Sequence, residues 1–486
     1  MKTKYLLSVI AIVAITKTTY AQYAQDALRF STFQPGSTSR IKALGNAGTA
    51  VGGDLSSIGN NPAGLGFFTH SELSITPEFN ASKTNATYFG QSTQATQNQL
   101  NLNNASVVFY SRLNNNNADK TKGWLSLNFG VGYNRTNNYY QNTSYSGHNP
   151  NTSISNYYAE QANAYGINDP GSLASWAYDQ NLIDAYANGT GSIYKSNALA
   201  GVNQVKNSYT TGGQSEIDLS MGANYSNKLY LGLGIGITDI RYNTTSAFTE
   251  TGTASVLENN VAVNRQYTSV YSQDQQTRGN GFNARFGLIY KPVEVVRLGV
   301  TFTTPTWYNI DDNYNEALAT KLSSGSNGAS ANNYPFSYNL RTPLKVAGGA
   351  SVFLGTIGFI TGDVEYEDYS SMNLDYDGSG PDNNDIKRLY KSVVNAHVGA
   401  EIKADQLYIR GGYGVQGNPL AQYGGNINTV SGGLGYRFGA YYVDATYTHV
   451  SGNSTQFPYE LATATNYGAE VKNTYNNVFL TLGMRF

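Results

Sequence analysis

The stretch KLYLGLGIGITDIRY, Lys228 to Tyr242, decides the fold. Leu229, Leu231, Leu233, Ile235 and Ile237 take one face; Tyr230, Gly232, Gly234, Gly236 and Thr238 take the other. A period of two is the geometry of a β-strand, whose side chains alternate between faces. The end of the chain repeats the pattern. Over Thr474–Phe486, Val478, Leu480, Leu482, Met484 and Phe486 share one face, opposite Thr481, Gly483 and Arg485. A half-buried strand of a soluble sheet alternates in the same way, so the number and spacing of such segments must carry the argument.

Working outward, strand cores fall at Ser71–Phe79, Ala105–Ser111, Trp124–Thr136, Glu216–Tyr225, Lys228–Tyr242, Phe282–Lys291 and Val295–Thr304. Further cores follow at Pro343–Leu354, Ile357–Tyr369, Val393–Lys403, Gln406–Val415, Val430–Phe438, Ala440–Val450 and Thr474–Phe486. These are about fourteen strands, an even number. Short connections (Ser226–Asn227, Pro292–Glu294, Gly355–Thr356, Ala404–Asp405, Gly439) alternate with long ones (Asn80–Asn104, Asn137–Ser215, Asn243–Gly281, Pro305–Thr342, Ser370–Ser392, Gln416–Thr429, Ser451–Asn473). Only the short-side connection Arg112–Gly123 runs long. Short turns at one end and long loops at the other are the pattern of an outer-membrane barrel. The faces agree. Leu125, Leu127, Phe129, Val131, Val296, Leu298, Val300, Phe302, Leu434, Tyr436 and Phe438 are read as facing lipid. Asp218, Arg285, Arg297, Asp363, Glu365, Glu401, Arg410, Arg437 and Arg485 are read as facing the lumen, because a cation on the lipid side costs about 2–4 kcal/mol at mid-bilayer. The fold predicted is all-β: a transmembrane antiparallel barrel.

Composition fits. Charged residues are 13% of the chain, about half the usual quarter, with 40 Tyr, 52 Gly and no Cys. Beyond the N-terminus no apolar run reaches the roughly 18 residues of a membrane helix. A net charge of -1 gives no nucleic-acid signal. Residues 1–21 read as a signal peptide: Lys2 and Lys4, then the apolar Leu6–Ile15, then small and polar residues up to a cleavage site near Ala21. Residues 22–70 lack the strand pattern, and residues 71–486 form the barrel. In 22–70, Gly-rich turns surround Asn60-Asn61-Pro62-Ala63-Gly64, which suits a compact plug inside the barrel.

At this point the chain resembles a known family, the FadL-like outer-membrane transporters of fatty acids and aromatic hydrocarbons. The hatch Asn-Pro-Ala motif is matched at Asn61, Pro62 and Ala63. Similar segments follow: Arg297–Val300 running to Pro305, Thr342–Val346 with Gly348, Asp363–Tyr366, Arg410–Tyr413, Gly433–Phe438 and the final strand. The resemblance implies 14 strands with an N-terminal hatch, passive uptake of hydrophobic compounds, and lateral release into the bilayer through a kinked strand. It makes Asn61, Pro62 and Ala63 the gate element. It carries no pocket residues over to this chain, because the Asn- and Tyr-rich loops are unlike those of the family.

Within the longest loop, Asn156–Ala187 has helical spacing, broken at Asn168–Gly171 and ended by Gly189. Its Tyr157, Tyr158, Trp176 and Leu182 are candidates for a capture surface, the competing reading being a cap that packs on neighbouring loops. Tyr139 and Tyr140 are further candidates to grip aromatic ligands, against the competing reading of interface belts and loop packing. No catalytic constellation is found. Of His70, His148, His397 and His449, only His449 has a nearby hydroxyl, Ser451, and one strand holds that pair about 7 Å apart. Asp363, Glu365 and Glu367 share a strand face, read as a salt-bridge ladder. Asp375, Asp377, Ser379 and Gly380 match half a calcium loop but lack its closing Glu, and no flanking helices are expected. Neither a cofactor nor a metal is expected. The expected partners are outer-membrane lipid, a hydrophobic small molecule and the barrel assembly machinery, and the protein is read as a monomer. Two alternatives remain: a same-family barrel serving a protein-secretion system as shuttle or docking component, and a general diffusion porin.

Overall fold

The computed structural model describes residues 20–34, 36–114, 119–188, 191–259, 261–325 and 327–486. The signal-peptide reading therefore lies almost wholly outside the described residues, as does Gly189. Five helices are α1 (Tyr20–Ser31), α2 (Ser39–Ala43), α3 (Ile154–Tyr165), α4 (Leu173–Asp179) and α5 (Gly380–Leu389). The strands are β1 (Glu72–Tyr88), β2 (Gln91–Phe109), β3 (Trp124–Asn138), β4 (Gln141–Asn149), β5 (Ile183–Asn188), β6 (Gly191–Ser196), β7 (Val202–Tyr225), β8 (Leu229–Glu258), β9 (Val261–Val293) and β10 (Val296–Thr303). They continue as β11 (Trp307–Leu322), β12 (Asn327–Arg341), β13 (Lys345–Phe353), β14 (Gly358–Asp368), β15 (Asn373–Asp375), β16 (Ser392–Ala404), β17 (Leu407–Gln416), β18 (Ile427–Phe438), β19 (Tyr441–Gln456) and β20 (Ala469–Arg485).

Fourteen of these strands close a barrel in the order β1-β2-β3-β7-β8-β9-β10-β13-β14-β16-β17-β18-β19-β20, every pairing antiparallel. Strand β20 returns to β1, Glu72 opposite Arg485 through Thr87 opposite Glu470, which closes the sheet on itself. Each of the fourteen expected strand cores maps onto one of them. On β8, Leu231, Leu233, Ile235 and Ile237 are 37–55% exposed while Gly232, Gly234 and Gly236 face inward. Equivalent outward residues circle the barrel, among them Phe129, Leu219, Phe286, Val300, Ile360, Val398, Leu434 and Leu482. A continuous apolar belt of this extent is incompatible with water and matches a bilayer. The inward face is polar. Asp218, Arg285, Asp363, Glu401 and Arg410 are buried there, and Arg485 lies at the lower rim. The turn Ser226–Asn227 has φ of 56° and 54°, the left-handed pair that a two-residue hairpin requires.

The expected long loops are largely strand. Asn80–Asn104 is a hairpin turning at Phe89–Gly90, Asn243–Gly281 turns at Asn259, and Pro305–Thr342 is the β11–β12 hairpin. Hydrophobic alternation stops where lipid stops. The ladder continues above it on Thr, Asn and Ser, which pair equally well without an apolar face. Strands β10 and β13 break from β11 and β12 at Pro305 and Pro343, so β9 pairs β10 below and β11 above. Proline removes a ladder donor, which accounts for both interruptions. Above the belt, β4, β7, β8, β9, β11 and β12 form one extended sheet.

The helix pair on that sheet also differs from expectation. Helix α4 ends at Asp179 because Asn181 turns left-handed at φ 59°, and the chain then enters the β5–β6 hairpin. Tyr158, Trp176 and Leu182 are buried with Phe248, Tyr267 and Leu318, and Tyr157 packs against the same core. The pair is a cap whose apolar side chains are turned inward. The acidic loop near Asp375 likewise leads into a helix, α5, that the calcium-loop comparison did not anticipate.

Candidate functional site: hatch, aromatic chamber and wall split

Residues 39–68 form the hatch core. Two short 3-10 turns are each capped by the residue ahead of them: Asp54 accepts from Ser56 N, and Asn61 Oδ1 accepts from Ala63 N at 3.1 Å. The Asn61–Pro62–Ala63 turn lies on a row of three glycines, Gly222, Gly232 and Gly287, which are cross-strand neighbours on β7, β8 and β9. A Cβ on Gly232 would stand 2.1 Å from the Pro62 carbonyl carbon and the Ala63 nitrogen; one on Gly287 would stand 2.0 Å from Asn61 Oδ1. Only glycine lets the hatch backbone approach the wall so closely.

Polar ties hold the rest of the core. Arg40 donates to both Glu401 oxygens at 2.8 and 3.0 Å, and Glu401 also accepts from Arg410 at 2.6 Å. Asp363 accepts from Thr49 N at 2.8 Å, Asn128 donates to Leu65 O at 2.6 Å, and Ser220 donates to Ile58 O at 2.7 Å. The sequence reading placed Asp363 and Glu401 in the lumen without identifying the hatch as their partner. Hydrogen-bond partners that far apart in sequence leave no local signature.

Above the hatch the lumen becomes aromatic. Tyr139, Tyr242, Tyr308, Tyr338, Tyr369 and Tyr390, with Ile240, Ile310, Leu340 and Leu374, form a chamber beneath the cap. Helix α1 fills it. Tyr23 lies 5.0 Å from the Phe336 ring and 5.4 Å from Tyr338, and Phe30 meets Tyr139 and Tyr242 at 6.2 and 5.9 Å. Tyr390 Oη donates to Ala24 O at 2.9 Å, and Gln275 donates to Asp26 at 2.8 Å. The helix was not expected, yet Tyr23, Ala24, Ala27 and Phe30 are spaced as one helix face. Of the tyrosines weighed from sequence, Tyr139 is thus a wall of the chamber. Beneath α1 a small cavity of about 90 Å³ is lined by Phe30, Phe33, Arg285, Lys345, Glu365 and His397. Outside α1, a vestibule of about 960 Å³ is bordered by Arg29, Tyr145, Lys206, Tyr242, Arg388 and Phe457.

Among the described strands the barrel ladder is shortest between β2 and β3, which part above it. Strands β2 and β3 share only six residue pairs, Asn104 opposite Asn134 down to Phe109 opposite Phe129. The β1–β2 register shifts at Thr76/Pro77, leaving Asn103 out, and the β3–β7 register shifts at Arg135/Asn137, leaving Thr136 out. The chain between α1 and the hatch core stoppers this gap. Gln34 N donates to Thr136 O at 2.7 Å, Asn103 donates to Ser37 O, and Asn137 donates to Thr32 O at 3.1 Å. Gly36 lies so close to β3 that a Cβ there would be 2.8 Å from Asn134 Cβ. A cavity of about 250 Å³ sits behind the stopper, lined by Phe33, Asn80, Asn103, Arg135 and Phe479 among others.

The remaining candidate residues are structural in their surroundings. His449 Nδ1 is 2.9 Å from Asn476 Oδ1, and Lys345 pairs with Glu367 at 3.0 Å. Among the described residues no group of three or more His, Cys, Asp or Glu side chains is arranged to hold a metal ion. In the cap, Glu250 is fully buried and accepts from Ile154 N, Gln204, Tyr267 and Ser153; burial nevertheless raises its pKa.

No protein-family profile and no curated protein matches the chain. Solved structures do. The Pseudomonas putida toluene transporter TodX superposes over 93% of this chain and 99% of its own, with TM-score 0.54 at 12% identity. A Pseudomonas aeruginosa FadL homologue matches over 94% and 100%, with TM-score 0.56 at 12% identity. The CymD monoaromatic hydrocarbon channel matches over 93% and 98%, with TM-score 0.50 at 12% identity. Over nearly its whole length, the chain therefore has the fold of these channels: a closed 14-strand barrel plugged from its N-terminus.

Proposed function

We propose that the protein is an outer-membrane channel for the passive uptake of hydrophobic small molecules, of the class of monoaromatic hydrocarbons or long-chain fatty acids. The observation that carries this reading is the β2–β3 split, stoppered from inside by Gln34, Gly36 and Ser37 next to an aromatic chamber. The ligand enters through the vestibule, displaces α1 from the tyrosine-lined chamber, and leaves sideways when the stopper withdraws. Lateral exit suits such a cargo, since each CH₂ moved from water into lipid is worth about 0.8 kcal/mol. The fold of TodX and CymD, channels named for toluene and monoaromatic hydrocarbons, supports the ligand class.

In this reading Asn61, Pro62 and Ala63 anchor the hatch on its glycine row, and the gate is the adjoining Thr32–Thr38 segment. The cap around Tyr157, Tyr158, Trp176 and Leu182 shapes the vestibule from outside rather than touching ligand with those side chains. The protein works as a monomer without a cofactor. It is exported by a leader cut near Ala21 and inserted by the barrel assembly machinery.

Cross-linking tests the gate. The chain has no Cys, so Ser37→Cys with Asn103→Cys gives a clean pair to join with a short reducible linker. Uptake of a hydrophobic probe into cells should stop when the pair is joined and return on reduction. Unchanged uptake in the joined state refutes the gate. One observation favours the secretion-shuttle alternative: the chain's own helix already occupies the chamber. On that reading neither state takes up probe, and secretion components co-purify with the barrel.

A further inference from the structure

The vestibule has surface of two kinds. Leu28 of α1, Leu389 of α5, Leu420 and Phe457 make part of it apolar, and the three leucines also pack on the chamber cluster. Strands β4, β7 and β8 make the rest polar, with Thr143, Ser208 and Ser246 in one cross-strand row and Thr210 and Thr244 in the next one down. Lys206 stands one row above them, between Tyr145 and Phe248. It is partly buried, and its Nζ donates to Ser246 Oγ at 3.0 Å and to Gln273 Oε1 at 3.2 Å. Both partners are uncharged. Among the described residues no carboxylate pairs with it. The carboxylates on the strands alongside are held elsewhere, Glu250 by Ser153, Gln204 and Tyr267, and Glu316 by Tyr271 and Tyr334. Of the other charges bordering the vestibule, Arg29 pairs with Asp26, Arg388 pairs with Asp385, and Glu460 is exposed.

An ammonium has three protons to donate, and here two are used. The third, and the charge itself, are unmatched. Taking a cation out of water without an opposite charge is unfavourable, and burial pulls the Lys206 pKa down to about 8. An uncharged hydrocarbon would use only the apolar surface and leave that cost in place. We infer, resting on the uptake reading above, that the vestibule selects anionic amphiphiles: the carboxylate of an acid with an apolar chain pairs with Lys206 while the chain lies against Leu28, Leu389, Leu420 and Phe457. The geometry suits such a two-part ligand. Ser246, beside the Lys206 ammonium, lies four residues up β8 from Tyr242, about 13 Å at strand rise. A chain that starts at the ammonium therefore reaches the chamber wall, on the same leucines that flank α1.

The test compares laurate with dodecanol, which share a chain length and differ in charge. Binding of each to the full barrel in amphipol is measured at neutral pH. The wild type should bind laurate roughly 10–100-fold more tightly, the contribution of one hydrogen bond between charged partners. Lys206→Met keeps the side-chain length and removes the charge; it should erase the preference by weakening laurate alone. Lys206→Arg should retain it. If Lys206→Met does not fold, the wild type decides by itself. A carbodiimide activates the carboxyl of bound laurate, the Lys206 amine attacks it, an amide forms and the urea leaves. Peptide mass spectrometry should then find the dodecanoyl group on Lys206. Its absence there, equal affinity for the two probes, or a preference that survives Lys206→Met overturns the inference. Those results leave the uptake reading standing where cells still take up dodecanol or toluene. Cells that take up none of the three probes overturn the uptake reading, and this inference with it.

Discussion

Gly232→Ala is a one-carbon change whose effect can be worked from distances. The new Cβ would lie 2.1 Å from the Pro62 carbonyl carbon and the Ala63 nitrogen, whereas carbon contacts settle near 3.5–4.0 Å. The hatch turn would have to lift by roughly 1.4 Å. It cannot bend locally, because Pro62 fixes its own backbone and Asn61 is tied to Thr49 O at 2.7 Å. Overpacking of this kind costs about 1–3 kcal/mol, which corresponds to a 5–150-fold increase in hatch opening. Amide exchange across residues 39–68 reads that opening directly, with heat-modifiable gel mobility reporting the barrel separately. Gly348→Ala is the control, since a Cβ there meets nothing within 4 Å. Gly232→Ala should expose the hatch while the barrel stays closed and Gly348→Ala leaves both alone. Equal exchange in the two variants would refute the glycine row as the seat of the Asn-Pro-Ala turn.

Arg40→Ala should loosen the hatch by about 3 kcal/mol, the lower end for breaking a buried pair, because Glu401 keeps Arg410; Arg40→Lys should fall between, and hatch exchange again reads the order. In the cap, Glu250→Ala leaves four donors without their acceptor, and α3 should become less protected by about 1–3 kcal/mol. The pH dependence of that cap has a definite sign. The folded Glu250 pKa is raised, so the fold binds the proton more tightly than the open form does. Cap stability is then complete below the ordinary carboxylate range and is lost as pH rises through the raised value. Glu250→Gln, locked in the neutral state, should make α3 exchange flat with pH, and a slope that persists would assign the effect to another group. Trp176→Ala should cost the cap about 3–5 kcal/mol without changing barrel mobility, since Trp176 packs only within the upper core.

What could be read from the chain follows the solvent it meets. Leu229 to Ile237 alternate because one face touches lipid and the other touches hatch and lumen, two media different enough to mark every second residue. Above the belt the outward face meets water, while the inward face of β8 meets the cap core through Phe248, Ala254 and Val256. Thr249, Thr251 and Thr253 therefore carry no apolar alternation, although β8 runs on to Glu258. The hatch was visible through Asn61, Pro62 and the glycines around them, but its seat was not. Gly222, Gly232 and Gly287 are scattered along the sequence, and only the strand register brings them into one row. Helix α1 had its signal in Tyr23, Ala24, Ala27 and Phe30. That signal lies close behind the apolar run Leu6–Ile15, in a segment read as turns.

These differences separate a fixed plug from a removable one. The hatch core is held through backbone contacts to glycines and through ion pairs to the wall, interactions that no small apolar ligand can replace. Helix α1 is held by tyrosine rings, by hydrogen bonds to its main chain at Ala24 O and Arg29 O, and by one buried side-chain tie, Gln275 to Asp26. On the function proposed above, an apolar ligand offers the same rings the same contact, so it would compete with α1 rather than with the hatch. The segment joining the two, from Thr32 to Thr38, is the one that stoppers the β2–β3 split. On the same proposal, pulling α1 out of the chamber would draw on the stopper while residues 39–68 stay seated. Gating by that proposed route would require no movement of the Asn-Pro-Ala turn, only release of α1 and the Thr32–Thr38 segment that precede the hatch core.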